Sequence, residues 1–369
     1  MMDFDFSADA IALRDSIHRF LMVEAAPEML REIWETASGR SAALRAKLAD
    51  QGLTALSVPE SHGGMGLGDL EWVLVQYELG YYAIPDSLSD TAYLAAHLLQ
   101  HLPNGAAAKQ EWLPRIASGQ VRVAVGHPVN RLVADAELAD LLLLWHADEI
   151  HALRRDQVQL AARTSIDASR RLFEVRWTAS DATRICSAQA GAALWQAVHD
   201  RATVALAAQL LGLAQRMLDL GIDYAAQRKQ FGKPIGSFQA VKHQLADVAV
   251  KIEFARPVLH RAAYALAEQQ PLASIHASQA KLACGEAALL AARKSLQVHG
   301  AMGYTWEADL QMFMKRAWAL DASWGDRSFH KARLAEHVLA DGVRLGPGET
   351  FAIPEPAARA TRAVRSATA

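Results

Sequence analysis

The amino-acid sequence predicts a mainly α-helical protein with a small β domain set between two helical regions. Three observations predict it. Apolar residues recur at three- and four-residue spacings up to about Ser118, alternate or run in short blocks from about Gly119 to Thr183, and return to helical spacing from about Ala188 to Ala340. The expected division is an N-terminal helical domain over residues 1–118, a reduced middle β domain over 119–184, a C-terminal four-helix bundle over 185–345 and a flexible tail over 346–369.

In the first region Leu13, Ile17, Phe20 and Leu21 form one stripe, Leu44, Leu48 and Leu53 a second, and Leu70, Val73, Leu74 and Tyr77 a third. The run Gly63-Gly64-Met65-Gly66-Leu67-Gly68 has the glycine density of a dinucleotide loop, but no strand in a βαβ context precedes it. It reads as a turn between helices, with Asp69 capping the next one. In the middle region Val121–Val125, Leu141–Trp145, Val158–Ala162 and Leu172–Thr178 read as strands of a small antiparallel module. Polar breaks such as Asp148-Glu149 and Asp167-Ala168-Ser169 separate them. In the third region the helices are rich in alanine and leucine, and each is expected to run beyond about 25 residues. The stripe Val204, Ala207, Ala208, Leu211, Leu218 suits close antiparallel packing in a bundle. After Gly346 the chain is rich in Pro, Ala and Arg and is expected to be mobile or draped on a partner.

Composition removes several classes of function. With 369 residues, 51% of them hydrophobic, the chain can bury large cores. Its 38 basic and 40 acidic residues give a pI near 6.7, so nothing electrostatic favours nucleic acid or an anionic membrane. Cys186 and Cys284 are far apart, without CxxC spacing, and read as reduced, buried residues. The acidic start Met1-Met2-Asp3-Phe4-Asp5 lacks the cationic region of a secretory signal. Apolar runs such as Leu141–Trp145 are far too short to span a bilayer, and a cytoplasmic location is expected.

The most informative segment is Tyr224 to Gln239. It sets Arg228 beside Phe231 and a Gly232-Lys233-Pro234 turn, between two helical patterns. A guanidinium there can grip a phosphate bidentately, and the amide of Gln239 suits a nucleobase or ribose edge. A second glycine turn follows downstream, Gln297-Val298-His299-Gly300-Ala301-Met302-Gly303-Tyr304. Together these segments resemble the C-terminal domain of acyl-CoA dehydrogenases, and Leu48–Gly68 resembles the first-domain signature of the same family. The resemblance covers roughly three-quarters of the chain and implies an acyl-CoA dehydrogenase-like fold. It also implies an FAD whose ADP half is held by Arg228, Gln230, Phe231, Ile235, Phe238, Gln239, Gln297, Gly300 and Ala301, the FAD belonging mainly to a neighbouring subunit.

The middle region departs from the family pattern. Where the family has a Thr-Glu-Pro loop near substrate, this chain reads Gly126-His127-Pro128-Val129-Asn130-Arg131. Trp145 and Trp177 are candidates for the tryptophan that packs on the flavin ring, but neither stands in the family's polar motif, so both also read as core or interface residues. The family's reaction is α,β-desaturation of an acyl-CoA. A carboxylate takes the α-proton, hydride leaves the β-carbon, and the thioester oxygen needs hydrogen bonds as enolate charge develops. Matched to the family, the two positions that can carry this base hold Gly325 and Ala202, neither able to accept a proton. Asp326 is a weak candidate, one residue off and one methylene shorter, and reads equally as a helix N-cap. Asp321 and Glu307 read as ordinary helix-face or turn acids. His243, His299 and His330 lack metal-ligand spacing, no metal is expected, and no Ser-His-Asp or Cys-His arrangement stands out.

Retained grip and missing base resemble the base-lacking subunit of heteromeric α2β2 members of the family, among which are enzymes of steroid-derived CoA thioesters. The expected partners are an acyl-CoA, a second acyl-CoA dehydrogenase subunit that supplies the catalytic Glu, and electron-transfer flavoprotein or another acceptor. The alternatives are a homotetrameric enzyme using Asp326, a non-catalytic scaffold and a flavin-dependent acyl-CoA oxidase.

Overall fold

The computed structural model describes residues 5–103, 106–343 and Gly346. The N-terminal region is helical: α1 (Ala8–Glu24), α2 (Pro27–Glu35), α3 (Ala42–Asp50), α4 (Asp69–Tyr81), a π-helical turn Ser89–Ala95 running into α5 (Ala96–Gln100), and α6 (Ala106–Ala117). Hydroxyl caps start two of them: Ser7 accepts from the Ala10 amide and Ser41 from the Leu44 amide, each at 3.1 Å. Ile17, Leu21, Leu44, Leu48 and Leu53, picked out by spacing alone, are all buried.

Asp69 is not the cap of α4. Gly68 holds that position, and its amide is satisfied by the Glu71 carboxylate at 3.0 Å. Asp69 sits one residue inside, buried, accepting from the Tyr93 hydroxyl at 2.6 Å and from Arg201 at 3.0 Å. An ion pair to α7 outcompetes a local cap. The glycine run before it is a packing turn, because a Cβ on Gly64 would overlap the Val58 carbonyl.

The middle region forms β1 (Val123–Gly126), β2 (Val133–Ala134), β3 (Leu141–His146), β4 (Glu149–Leu153), β5 (Gln159–Arg163), β6 (Leu172–Arg176) and β7 (Arg184–Cys186). They make two sheets, ordered β1-β3-β4-β7 and β2-β6-β5. The module is not wholly antiparallel: β1 runs parallel to β3, with Val123 opposite Leu141. The segment joining them crosses to the second sheet through β2 and returns, which reverses the chain twice. The break expected at Asp148-Glu149 is instead a tight hairpin. Ala147 (φ 47°) and Asp148 (φ 64°) form a turn with two positive φ angles, and Glu149 opens β4.

Three long helices follow: α7 (Ala188–Gln227, 40 residues), α8 (Gln239–Ala267, 29) and α9 (Ala273–His299, 27). The hairpin β8 (Lys229–Gln230) and β9 (Lys233–Pro234) joins α7 to α8. The last two helices fall short of the expected length: α10 (Leu310–Asp321) and α11 (Arg327–Val338) have 12 residues each. Trp324 (φ 56°) and Gly325 (φ 93°) turn the chain between them, a backbone path no continuous helix allows. The alanine stripe of α7 is buried against α9, α8 and α4. A Cβ on Gly212 would overlap the Tyr77 carbonyl of α4, and one on Gly80 would overlap the Gln209 backbone of α7, so the two helices cross at their glycines.

Charges knit the layers. Buried Arg316 of α10 donates to the Ile84 carbonyl at 2.7 Å and to Asp167 of the β module at 3.3 Å. Asp86 receives Arg45 at 2.7 Å and Arg122 at 2.9 Å. Cys186 and Cys284 are free and buried. Among the described residues no helix is long and apolar enough to cross a membrane, and no cluster of His, Cys, Asp or Glu could hold a metal ion. The tail expected to be mobile lies outside the described residues, Gly346 apart.

Candidate functional site

Two places in the fold hold the residues singled out by sequence: the tip of the bundle and a cleft beneath the β module. At the tip, α7 ends on Gln227 and the backbone amide of Arg228 closes the last turn onto the Tyr224 carbonyl at 2.9 Å. The hairpin then turns through Phe231 (φ 53°) and Gly232 (φ 79°). A left-handed phenylalanine costs about 1–2 kcal/mol, and this one is 91% exposed, so its ring gives nothing back by burial within the chain. Phe238 meets Phe231 edge-on at 6.0 Å, and Lys233 lies 4.5 Å over the Phe238 ring. The guanidinium of Arg228 is exposed and makes no hydrogen bond or ion pair among the described residues. The hairpin is anchored by Ile235, whose amide donates to the Arg228 carbonyl at 2.8 Å, and by Gly236, tucked against Ala225.

The second segment meets the first at this end. Tyr224 stacks on His299 with ring centroids 4.3 Å apart. Gln239, Gln297, Gly300 and Ala301 are exposed there, Gly300 with φ 60°. Gln230 turns its amide onto the Lys229 carbonyl at 2.9 Å, which takes it out of the group with free polar atoms. A free guanidinium, a displayed aromatic face and two free amides fit the ADP half of an FAD approaching from outside the chain.

The cleft has a volume of about 590 Å³, within the range of small-molecule sites, and lies between the π-helical turn, the β1–β2 loop, the 164–172 segment and α10. Both positions matched to the family's base are closed. Ala202 is 1% exposed inside α7. A Cβ on Gly325 would stand 2.5 Å from the Phe329 ring and 2.8 Å from the His330 ring, on a backbone with φ 93°. Asp326 spends its carboxylate as the N-cap of α11, accepting from the Phe329 amide at 2.8 Å. Asp321, on α10, is raised above the usual carboxylate range by burial.

The loop at the family's Thr-Glu-Pro position is tied down by its own chain. Asn130 accepts from the Trp324 amide at 2.8 Å, and the His127 ring packs between Trp195, His199 and Trp324 at 5.3–5.6 Å. Burial and the neighbouring His199 hold His127 neutral, its pKa lowered to about 3, and burial and Lys281 lower His330 to about 3. Trp145 donates to Asp148 at 3.2 Å, and Trp177 lies against His146 and His151, so both tryptophans pack within the β module. The cleft floor carries ion pairs, Arg40 to Asp135 at 2.6 Å among them. Charges and pinned rings at this place do not make the neutral, flat cradle that an isoalloxazine needs.

Sequence reading missed Asp90, a carboxylate on the π-helical turn that lines the cleft. Burial, with the nearby Asp135, pushes it up to about 7. Its signal was available: an acid within Leu88-Ser89-Asp90-Thr91-Ala92-Tyr93-Leu94, a stretch otherwise composed for the interior.

Residues 7–120 match the acyl-CoA dehydrogenase N-terminal domain and residues 189–339 the acyl-CoA dehydrogenase C-terminal domain. The acyl-CoA dehydrogenase IpdE2 of Mycobacterium tuberculosis is 33% identical over 312 residues, covering 83% of this chain and 89% of that protein. Among solved structures, the ChsE4-ChsE5 complex of Mycobacterium tuberculosis superposes with a TM-score of 0.80 at 24% identity, over 92% of this chain and all of that one. A variant of the Tcur3481-Tcur3483 steroid acyl-CoA dehydrogenase superposes with a TM-score of 0.79 at 24% identity, over 89% of this chain and 97% of that one. At these identities the structures speak for the fold.

Proposed function

The chain belongs to the acyl-CoA dehydrogenase family, flavin-dependent oxidoreductases of acyl-CoA thioesters, and we propose that it serves there as a subunit that grips a partner's FAD but supplies no base of its own. FAD bound to such an assembly accepts the β-hydride as a carboxylate takes the α-proton. In this reading Arg228 holds the pyrophosphate, Phe231 and Phe238 flank the adenosine, and Gln239 and Gln297 hydrogen-bond its edges. An unlike subunit provides the catalytic Glu and the isoalloxazine cradle. An acyl group derived from a steroid is the candidate substrate, in keeping with the steroid enzyme among the similar folds.

The observation that carries the reading is the outward display of a strained, 91% exposed Phe231 beside an unpaired Arg228. A chain holding its own flavin would turn these groups inward or satisfy them. The crowding around Gly325 supports the missing base.

The test is made on the chain co-purified with its unlike subunit. Arg228→Ala should lower bound FAD at least about tenfold, the cost of one charge-assisted phosphate contact. Asp326→Asn should leave turnover within about twofold, because asparagine caps a helix as well as aspartate does. A steep loss of turnover in Asp326→Asn at unchanged flavin content would favour the homotetrameric enzyme that uses Asp326. Unchanged flavin in Arg228→Ala would favour the scaffold.

A further inference from the structure

We propose that the cleft under the β module selects acyl groups that carry a hydroxyl, and that Asp90 is the group that accepts from it. The inference rests on the family's acyl-thioester chemistry and not on the grip of Arg228.

Asp90 differs from the other acids around the cleft. Asp86 is held by two arginines, Asp135 by Arg40 and Asp167 by Arg316, each within hydrogen-bond or ion-pair distance. No hydrogen bond from any described residue reaches the Asp90 carboxylate; Arg170 and Arg40 act on it only through their charge. Its polar neighbours are already committed. Ser89 donates to Gln76 at 2.9 Å, and the Gln209 amide donates to Gln76 at 2.7 Å. Arg170 spends one nitrogen on the Ala319 carbonyl at 2.9 Å and on Ser323 at 2.8 Å.

A buried acceptor left without a donor costs free energy, and a fold keeps one where a ligand supplies the donor. Opposite this acid the cleft wall is apolar, with Val125, Leu206, Trp318 and Leu320. One unsatisfied acceptor in an otherwise greasy wall matches an apolar body with a hydroxyl at one point. A cationic donor is disfavoured, because Arg40 and Arg170 already balance the local charge.

The experiment measures binding of octanoyl-CoA and of its 3-, 5- and 7-hydroxy derivatives by calorimetry, with the chain in its assembled form. The expected result is that at least one hydroxy derivative binds about tenfold tighter than octanoyl-CoA, the worth of a hydrogen bond to a charged group. Asp90→Leu should level that preference. Asp90→Asn, isosteric and still an acceptor, should keep part of it, which guards against a variant that merely misfolds. Equal affinity for all four thioesters, or a preference that survives Asp90→Leu, overturns the proposal. So does failure of all four to bind, and in that event the flavin content of the same preparations still judges the Arg228 grip separately.

Discussion

A carboxylate held in a cleft without a partner works against folding, and Asp90 should report that cost in its titration. Its carboxyl rises from 3.8 to about 7 in the folded chain, first through burial and then through Asp135, with Arg170 and Arg40 opposing. For an acid raised in this way the stabilising contribution is complete below pH 3.8 and is lost as pH climbs through about 7. Asp90→Asn removes that slope. The variant should gain in Tm over the parent between pH 4 and pH 8, by an amount equivalent to at most a few kcal/mol at about 1.4 kcal/mol per pKa unit. His127 and His330, both lowered to about 3, impose the opposite slope below the ordinary histidine range. They do so in both proteins and drop out of the difference. A Tm difference that stays flat across the range would show that Asp90 titrates like a surface acid. At this scale the sequence revealed residues whose neighbours in the chain explain them, such as Arg228 beside Phe231. Asp90 stayed hidden because its meaning comes from the wall across from it.

Elements were legible where their period was long. The three long bundle helices and the buried stripe of α7 follow directly from spacing, and so do α1 and α3 with their serine caps. Legibility failed at reversals. Asp148-Glu149 looked like a break because the turn that creates β4 is only two residues long. The parallel pairing of β1 with β3 depends on a crossover to a second sheet, which no local pattern announces. The split between α10 and α11 turns on Trp324, a residue no propensity places at positive φ. The contact of α4 with α7 was equally hidden, and it can be tested. Gly212→Ala puts a methyl group into the Tyr77 carbonyl, so the two helices must separate along their crossing. Overpacking of this kind costs about 1–3 kcal/mol, and a drop of several degrees in Tm is expected. Ala226→Ser, at an exposed site near the end of the same helix, should leave Tm unchanged. If both substitutions behave alike, the glycine crossing does not hold the helices.

For the whole molecule the question is what the cofactor and the assembly do for each other. The layers of one chain are already bound together by buried charge, with Arg316 reaching both the N-terminal helices and the β module. The bundle tip is different: its polar and aromatic groups are finished for something that is not part of the chain. Under the proposed function, FAD binds the assembled form and not the lone subunit, so occupancy and assembly must rise together. Produced alone, the chain should be colourless, and added FAD should leave its Tm unmoved. Produced with an unlike, base-bearing subunit it should absorb in the flavin bands. Free FAD at about a hundred times its dissociation constant should then stabilise the complex by roughly 2.7 kcal/mol. Arg228→Ala should erase most of that gain, while Asp90→Asn should leave it intact, since the two residues lie in separate places. A lone chain that purifies yellow, with one flavin per copy, would mean that like copies build the whole site and that the missing carboxylate must be sought within this sequence.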